Sequence, residues 1–197
     1  MKGFESNYQE KIGILITNLG TPDNPDPKSL RKYLKQFLSD KRVVDYNRLL
    51  WWLILNIIIL NIRPRKSAKL YESIWTDEGS PLLVNMQSIV KKLQSRNEGV
   101  QIQLGMRYGN PSIEKALNYF KNQNIYKILV LPLYPQAGSP TNSSTFDEIS
   151  RVLNGWPWLP NLRFINGYHD HEDYIMAISN SIKKSTSNCD EIEKIIF

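Results

Sequence analysis

The stretch that decides the fold is KIGILITN, residues 11–18, with the turn Gly20-Thr21-Pro22 after it. Its β-branched and aliphatic residues form a short run bounded by turn residues, which predicts a buried strand. A helix is predicted to follow, because Asp26 is a suitable N-cap and Pro27 suits the first helical position. Its apolar residues recur at helical spacing: Leu30, Tyr33, Leu34, Phe37 and Leu38.

The same alternation of strands and helices continues along the chain. The predicted strands are residues 100–106, 126–133 and 162–165, and the predicted helices begin at Ser80-Pro81, Asn110-Pro111, Ser143 and Asp170. Ile175, Ile178 and Ile182 are predicted as the buried stripe of the last helix, and KIIF, residues 194–197, has the pattern of one more strand. This order predicts an α/β domain with a mostly parallel β-sheet flanked by helices.

Parallel sheets bind ligands outside the carboxyl ends of their strands. We therefore expect the functional site in the loops at residues 19–23, 107–110 and 134–143. Arg107 directly follows a strand, where its guanidinium can grip a ligand carboxylate, although an exposed salt bridge explains an arginine there equally well. The residues from Tyr134 to Thr141 have the hydroxyls and the aromatic ring of a pocket, or the ordinary composition of a turn.

Composition excludes several classes of protein. A chain of 197 residues that is 41% hydrophobic and 22% charged is neither disordered nor a disulfide scaffold. A lone cysteine, Cys189, cannot bind a cluster or form an internal disulfide, and the first residues lack a signal-peptide pattern, so we expect a cytoplasmic location. The net charge of +6 is spread along the chain, which favours a small anion or a membrane surface over nucleic acid.

The common catalytic motifs are absent. The turn after the first strand is not G-x-G-x-x-G, and the sequence contains no H-E-x-x-H, G-x-S-x-G or C-x-x-C pattern, which argues against a plain Rossmann oxidoreductase. His169 and His171 are two residues apart and do not share a helix face, so we interpret them and their acidic neighbours as a helix start, not a metal site.

The most unusual segment is LLWWLILNIIILNI, residues 49–62, which is too short to span a bilayer. Arg63, Arg65 and Lys66 follow it. Tryptophan beside aliphatic residues with a basic flank is typical of a membrane interface. An ordinary core helix and an apolar lip over a pocket for a flat ligand are the alternatives.

Several segments together resemble the ferrochelatase family, which inserts ferrous iron into protoporphyrin. The matching segments are NLGTP (18–22), YLKQFLSDKRVVD (33–45), RLLWW (48–52), AKLYESIW (68–75), GSPL (79–82), GMRYGNPS (105–112) and VLPLYPQ (130–136). The resemblance implies Rossmann-like, chelatase-type halves with the porphyrin between them. Residues 1–197 resemble the N-terminal portion of a bacterial-type enzyme, truncated before the second half.

The resemblance also implies the residues of the site. Seven positions match porphyrin-contacting positions of the family: Leu19, Arg63, Tyr71, Ser80, Arg107, Tyr134 and Thr141. None of them is expected to be catalytic or to bind metal. The loop after VLPLYPQ departs from the family pattern and keeps only Ser139 and Thr141 of its hydroxyl residues, so we expect no iron–sulfur cluster and no permanently bound cofactor.

The implied activity is insertion of Fe(II) into protoporphyrin IX, the last step of protohaem biosynthesis. The family's catalytic histidine lies in a motif of the type S-Y-H-G-I-P after a strand resembling KIIF, and its acidic partner lies further on, beyond Phe197. We therefore expect weak porphyrin binding and little chelatase activity from these residues alone, and membrane contact through Trp51 and Trp52 on the inner face. The alternatives are a non-catalytic tetrapyrrole carrier and a peripheral membrane-binding module.

Overall fold

A computed structural model describes residues 11–187. The strands are Ile12–Thr21 (β1), Val100–Gly109 (β2), Lys127–Pro132 (β3) and Asn161–Phe164 (β4). The helices are Pro27–Ser39 (α1), Arg48–Leu53 (α2), Leu60–Ile74 (α3), Pro81–Arg96 (α4), Ile113–Asn122 (α5), Ser144–Leu153 (α6) and Glu172–Thr186 (α7). Ile54–Ile59 and Ser139–Ser143 are π-helical. The predicted strand at KIIF and Cys189 lie outside the described residues.

The strands form one parallel sheet in the order β2-β1-β3-β4. Ile12 pairs with Val100 on one side and with Lys127 on the other. The chain therefore leaves β1 in one direction to form β2 and returns across β1 to form β3. This reversal creates a crevice outside the carboxyl ends of β1 and β3, the usual ligand position in such sheets. The predicted α/β class with a parallel sheet is confirmed.

Successive residues of β1 pack into different cores. Leu15 faces α5 and α6, where Phe120 and Ile149 are fully buried, whereas Ile16 faces α4 and packs near Met86. Because both faces of β1 are covered, its sequence is a continuous aliphatic run instead of an alternating one. Burying each such side chain contributes about 1.5–3 kcal/mol.

Helix α1 begins as the sequence predicts. Asp26 Oδ1 accepts hydrogen bonds from the backbone N–H groups of Lys28 at 2.8 Å and Ser29 at 3.1 Å, and Pro27 occupies the first helical position. The helix ends at Asp40, whose backbone is extended. Its buried residues are Leu30, Tyr33, Leu34 and Leu38. These residues pack α1 near the carboxyl end of the sheet.

The apolar segment 49–62 forms α2, a π-helical turn and the start of α3. The residues of this helical run that face the protein are Trp51, Leu55, Leu60, Pro64, Ala68 and Tyr71. Most are three or four residues apart, as an α-helix requires, but Leu55 and Leu60 are separated by five. The π-helical turn lies between these two residues and absorbs the extra one. Among the described residues, no helix is both long and apolar enough to cross a membrane.

Pro64 lies inside α3 and lacks the N–H that would donate to the carbonyl of Leu60. The guanidinium of Arg31, on α1, donates to that carbonyl instead. The same Arg31 nitrogen also donates to Asn61 Oδ1 at 2.9 Å. Arg31 therefore satisfies the acceptor that the proline leaves open and ties α1 to α3.

Three sequence predictions need correction. Helix α5 begins at Ile113 and not at Asn110-Pro111, and its cap is Ser112, whose hydroxyl accepts from Lys115 N–H. Helix α7 begins at Glu172 and not at Asp170. The predicted buried stripe of α7 is wrong, because Ile175 is 53% exposed and no side chain of the helix is buried. Its periodicity marks an apolar face, but no element within residues 11–187 covers that face.

Candidate functional site

An aromatic cluster lies at the carboxyl end of the sheet, made of Tyr33, Phe37, Tyr71 and Tyr108. The ring of Tyr33 lies 6.3 Å from that of Tyr71 and 6.5 Å from that of Tyr108, both edge-on. The centre of the Phe37 ring lies 5.3 Å from that of Tyr108. Leu19 lies inside β1, which continues to Thr21, and not in a loop as predicted; it packs against this cluster. The structure thus brings two predicted site residues, Leu19 and Tyr71, to one apolar wall.

Tyr134 follows β3 at the carboxyl end of the sheet, close to Tyr108 and Arg107. Its hydroxyl is buried and has no hydrogen-bond partner within residues 11–187. Burial raises the pKa of Tyr134, the nearby Tyr108 adds to the rise, and Arg107 partly opposes it, so the phenol stays protonated at neutral pH. Buried hydroxyls are nearly always paired in native proteins, so an unpaired one beside a crevice is a candidate ligand contact.

Ser80 lies at the start of α4, as predicted, but its hydroxyl does not cap the helix. It accepts a hydrogen bond from Thr21 Oγ1 at 2.9 Å, and both residues are buried. Thr21 is the last residue of β1. Ser80 keeps its own hydroxyl proton for another acceptor. This pair brings the start of α4 to the carboxyl end of β1.

The prediction of a loop at residues 107–110 with Arg107 after the strand is wrong, because β2 continues to Gly109. Arg107 lies inside β2 within a network of protein partners. Its Nη2 donates to Asp40 Oδ2 at 2.6 Å, and its Nε donates to the backbone oxygen and the hydroxyl of Ser144 at 2.9 and 2.7 Å. These bonds use one side of the guanidinium. Nη1 lies on the outer side, 3.9 Å from Glu148 Oε2. The predicted grip on a ligand carboxylate is thus limited to the outer N–H groups, at a side chain that is 15% exposed.

The Asp40 carboxylate is the main hydrogen-bond acceptor of this network. Its Oδ2 also accepts from Tyr108 Oη at 2.8 Å and Ser144 Oγ at 2.5 Å, and its Oδ1 accepts from Arg42 N–H at 2.7 Å. Burial by itself would raise the pKa of Asp40, but the hydrogen bonds and the charge of Arg107 together lower it. The carboxylate is therefore ionised at neutral pH.

Two predicted residues lie apart from the aromatic cluster. Arg63 is exposed on α3, and within residues 11–187 its side chain makes no hydrogen bond or ion pair. Thr141 lies in the second π-helical turn, where its hydroxyl donates to the carbonyl of Gly138 and contacts Asn142 Oδ1 at 3.0 Å. Thr141 is thus near the Tyr134 loop in sequence, and Arg63 is free to contact an external group.

The paired tryptophans have different environments. Trp51 donates its indole N–H to the carbonyl of Leu38 at 2.7 Å and packs against the apolar wall, whereas Trp52 is 59% exposed. Trp52 is therefore the more accessible of the two to an external surface, and the membrane contact of both residues stays a prediction. A groove of about 420 Å³ runs beside them, lined by Ser39, Arg48, Leu49, Trp51, Trp52 and Leu55.

Comparison with known proteins identifies the family. The family model described as Ferrochelatase matches residues 11–197. The chain belongs to the ferrochelatase family. It is 53% identical over 188 residues to a ferrochelatase of Thioalkalivibrio sulfidiphilus, covering 91% of this chain and 51% of that protein. It is 48% identical over 192 residues to a ferrochelatase of Alcanivorax borkumensis, covering 95% and 56% respectively.

The match to ferrochelatases extends to "Ferrochelatase 2" of Shewanella oneidensis, with 46% identity over 191 residues, 95% of this chain and 58% of that protein. The chain spans about half the length of the curated relatives it matches. The matched span includes every element of the parallel sheet and all seven predicted site residues.

Asp40 and Ser144 are the site residues of this ferrochelatase-family chain that sequence reasoning missed. Asp40 lies inside the matching segment YLKQFLSDKRVVD, but nothing in that segment shows that it pairs with Arg107, 67 residues later. Ser144 is one of several serines around the start of α6. As for metal sites, no group of three or more His, Cys, Asp or Glu residues within residues 11–187 is placed to hold an ion. His171 instead caps α7, accepting from Asp173 N–H.

Proposed function

We propose that this chain forms the porphyrin-binding half of a ferrochelatase whose full-length form inserts Fe(II) into protoporphyrin IX, the last step of protohaem biosynthesis. The observation that supports this most directly is the buried, unpaired hydroxyl of Tyr134 close to Tyr108 and Arg107 at the carboxyl end of the sheet. A flat aromatic ligand with polar edges suits such a crevice, because apolar walls hold its faces and a few polar groups fix its orientation.

The proposed contacts divide by chemistry. Leu19 and Tyr71 offer apolar surface to the macrocycle, since both belong to the wall around Tyr33 and Tyr108. The hydroxyl and guanidinium groups suit the two propionates of the porphyrin: Arg63, Ser80, Arg107, Tyr134 and Thr141. Of these, Arg63 and the outer N–H groups of Arg107 carry the positive charge.

Metal insertion has two physical requirements. The planar ring must be bent to expose its nitrogen lone pairs, and a base must take the two pyrrole protons. The aromatic cluster of this half can supply the bending, because binding energy from the faces and edges of the porphyrin can be used to distort the ring. The described residues thus hold and orient the porphyrin, and we assign none of them as the base.

Porphyrin titration tests this proposal. We expect the full chain to bind protoporphyrin IX, followed by porphyrin fluorescence, and Tyr134→Phe to weaken binding by about three- to tenfold, as the loss of one hydrogen bond predicts. Tyr126→Phe is the matched control, because Tyr126 precedes β3 at the opposite end of the sheet and stacks edge-on against Trp158. Equal affinity for the Tyr134 variant and the unchanged chain would exclude the proposed pocket.

The carrier alternative predicts the same titration but a different activity. A non-catalytic tetrapyrrole carrier binds porphyrin without inserting metal at any chain length. The full-length protein should insert Fe(II), or Zn(II) as its substitute, and the loss of porphyrin fluorescence measures this directly. Binding without turnover in the full-length protein would favour the carrier.

We also propose a peripheral membrane contact through α2 and the first π-helical turn. Leu49, Trp52 and Ile57 are 73%, 59% and 62% exposed, which is unusual for large apolar side chains on one short segment. Arg63 and Arg65 follow and can meet anionic headgroups. The apolar, basic composition supports an interfacial position.

Vesicle flotation tests the membrane proposal. Trp52→Ala should reduce binding to vesicles of phosphatidylglycerol and phosphatidylcholine, because an interfacial indole is lost. Trp158→Ala is the control, since Trp158 is 60% exposed but belongs to the loop before β4 at the opposite end of the sheet. Equal losses for both variants would indicate non-specific adsorption and contradict the proposed surface.

A further inference from the structure

Asp40 lies where three elements meet. It follows α1, its partners Arg107 and Tyr108 lie near the carboxyl end of β2, and its partner Ser144 begins α6. Its side chain is only 5% exposed, so protein donors and not water satisfy the carboxylate. A buried carboxylate is stable only when paired and hydrogen-bonded, and here one cation, two hydroxyls and one backbone N–H provide this.

The partners of Asp40 are groups of the proposed porphyrin site. Arg107 is held on one side by Asp40 and Ser144, and its guanidinium carbon lies 4.5 Å from the centre of the Tyr108 ring. The Tyr108 ring in turn contacts Phe37 and Tyr33 of the apolar wall. Without Asp40, Arg107 would keep Ser144 on its inner side and would be drawn toward Glu148, 3.9 Å from Nη1.

We propose that Asp40 is a positioning residue for porphyrin binding, which fixes the Arg107 guanidinium and the Tyr108 ring at the carboxyl end of β2 without touching the ligand. This inference rests on the function proposed above, because it requires the porphyrin to bind at this end of the sheet. Charge-assisted hydrogen bonds are short and directional, so they restrict the guanidinium to one orientation before the ligand arrives. Such preorganisation strengthens binding by removing an ordering cost.

The first measurement is the affinity of the full chain for protoporphyrin IX, with Asp40→Asn as the variant. Asparagine has nearly the same shape but lacks the charge, and we expect the Kd to rise by about tenfold. Asp147→Asn is the matched control: it removes the Asp147–Arg42 ion pair, 2.8 Å long, from the exposed surface of α6 and should leave the Kd unchanged.

A double-mutant cycle separates positioning from simple support of the fold. If Asp40 acts through Arg107, Asp40→Asn should change the Kd by less than about twofold when Arg107→Gln is already present. The absorption maximum of bound porphyrin should also shift in the Asp40 variant, because the surroundings of the macrocycle change. A residue with only a structural role would lower the melting temperature and leave the Kd and the absorption maximum of the folded protein unchanged.

The outcomes are distinguishable. If the unchanged chain does not bind porphyrin, the proposed function fails and this inference fails with it. If the unchanged chain binds and Asp40→Asn binds equally well, only the role of Asp40 is refuted. Tighter binding would refute it too, since Asp40 would then merely neutralise Arg107. If the Asp40 variant does not fold, Ser144→Ala replaces it, and we expect a rise in Kd of about threefold from the loss of one partner of Arg107.

Discussion

Single residues at the carboxyl end of the sheet are constrained by close contacts as much as by chemistry. Gly20 has a φ of +105°, and a Cβ added there would lie 1.8 Å from the carbonyl oxygen of Tyr108. The two strands therefore approach at a distance that only glycine allows. This contact sets the spacing between β1 and β2 beside Leu19 and Arg107.

Gly20→Ala should destabilise the protein by about 2–4 kcal/mol or more, because it combines an unfavourable φ with a backbone clash. Urea unfolding followed by circular dichroism measures this. Gly99→Ala is the control, since nothing lies within 4 Å of a Cβ at that position. A loss of stability at Gly20 no larger than that at Gly99 would contradict the close approach of β1 and β2.

Asp40 should also make stability depend on pH. Its pKa in the folded state lies below the ordinary aspartate value of 3.8, so the unfolded chain binds a proton more readily. The stabilisation is fully present above pH 3.8 and is lost as the pH falls through the lower pKa of the folded state. The free energy of unfolding, measured from pH 6 to pH 2.5, should thus fall less steeply for Asp40→Asn. Parallel pH profiles for the two proteins would show that the carboxylate is not specially stabilised.

At the scale of elements, Arg31 of α1 bonds to α3 at a helix defect. Arg31 donates a hydrogen bond to the carbonyl of Leu60, to which Pro64 cannot donate. Arg31→Met should therefore cost about 1–3 kcal/mol, as expected when a buried acceptor loses a charged donor. In a Pro64→Ala background the restored N–H can bond that carbonyl, so the same substitution should cost less. Thermal or urea unfolding of the four proteins gives the coupling, and strictly additive losses would contradict this explanation.

How much of each element the sequence predicts depends on whether its signal is local. Asp26 and Pro27 predict the start of α1 correctly because capping involves neighbouring residues only. The isoleucines of α7 predict a buried face wrongly, since periodicity shows that a face is apolar but not what covers it. The Asp40–Arg107 pair cannot be predicted from the sequence either, because its two residues are 67 positions apart. The family resemblance locates Arg107 but not the carboxylate that orients it.

At the scale of the whole molecule, charge and exposed apolar surface act together. The chain carries a net charge of +6, and its exposed apolar residues on α2 are followed by Arg63, Arg65 and Lys66. Positive charge alone or exposed apolar residues alone bind a protein only weakly to a membrane. The two together are the usual combination for stable membrane binding.

Vesicle binding should consequently be sensitive to salt. Raising the ionic strength from 0.1 M to 1 M shortens the screening length from about 10 Å to about 3 Å, so the electrostatic part of the attraction should be lost while the apolar part remains. We expect partial release from anionic vesicles in flotation assays at high salt, and no salt effect with neutral vesicles. Full retention at 1 M salt on both vesicle types would show that charge plays no part.

The π-helical turn at Ile54–Ile59 affects which changes in length the chain can accept. An α-helix advances about 100° per residue, so deleting one residue from this turn would rotate everything beyond it by that angle. Arg63 and Tyr71 would then leave their present directions together, and Pro64 would lose its alignment with Arg31. Insertions and deletions in this turn are thus more damaging than most substitutions. The number of residues in the segment is therefore more strongly constrained than their identity.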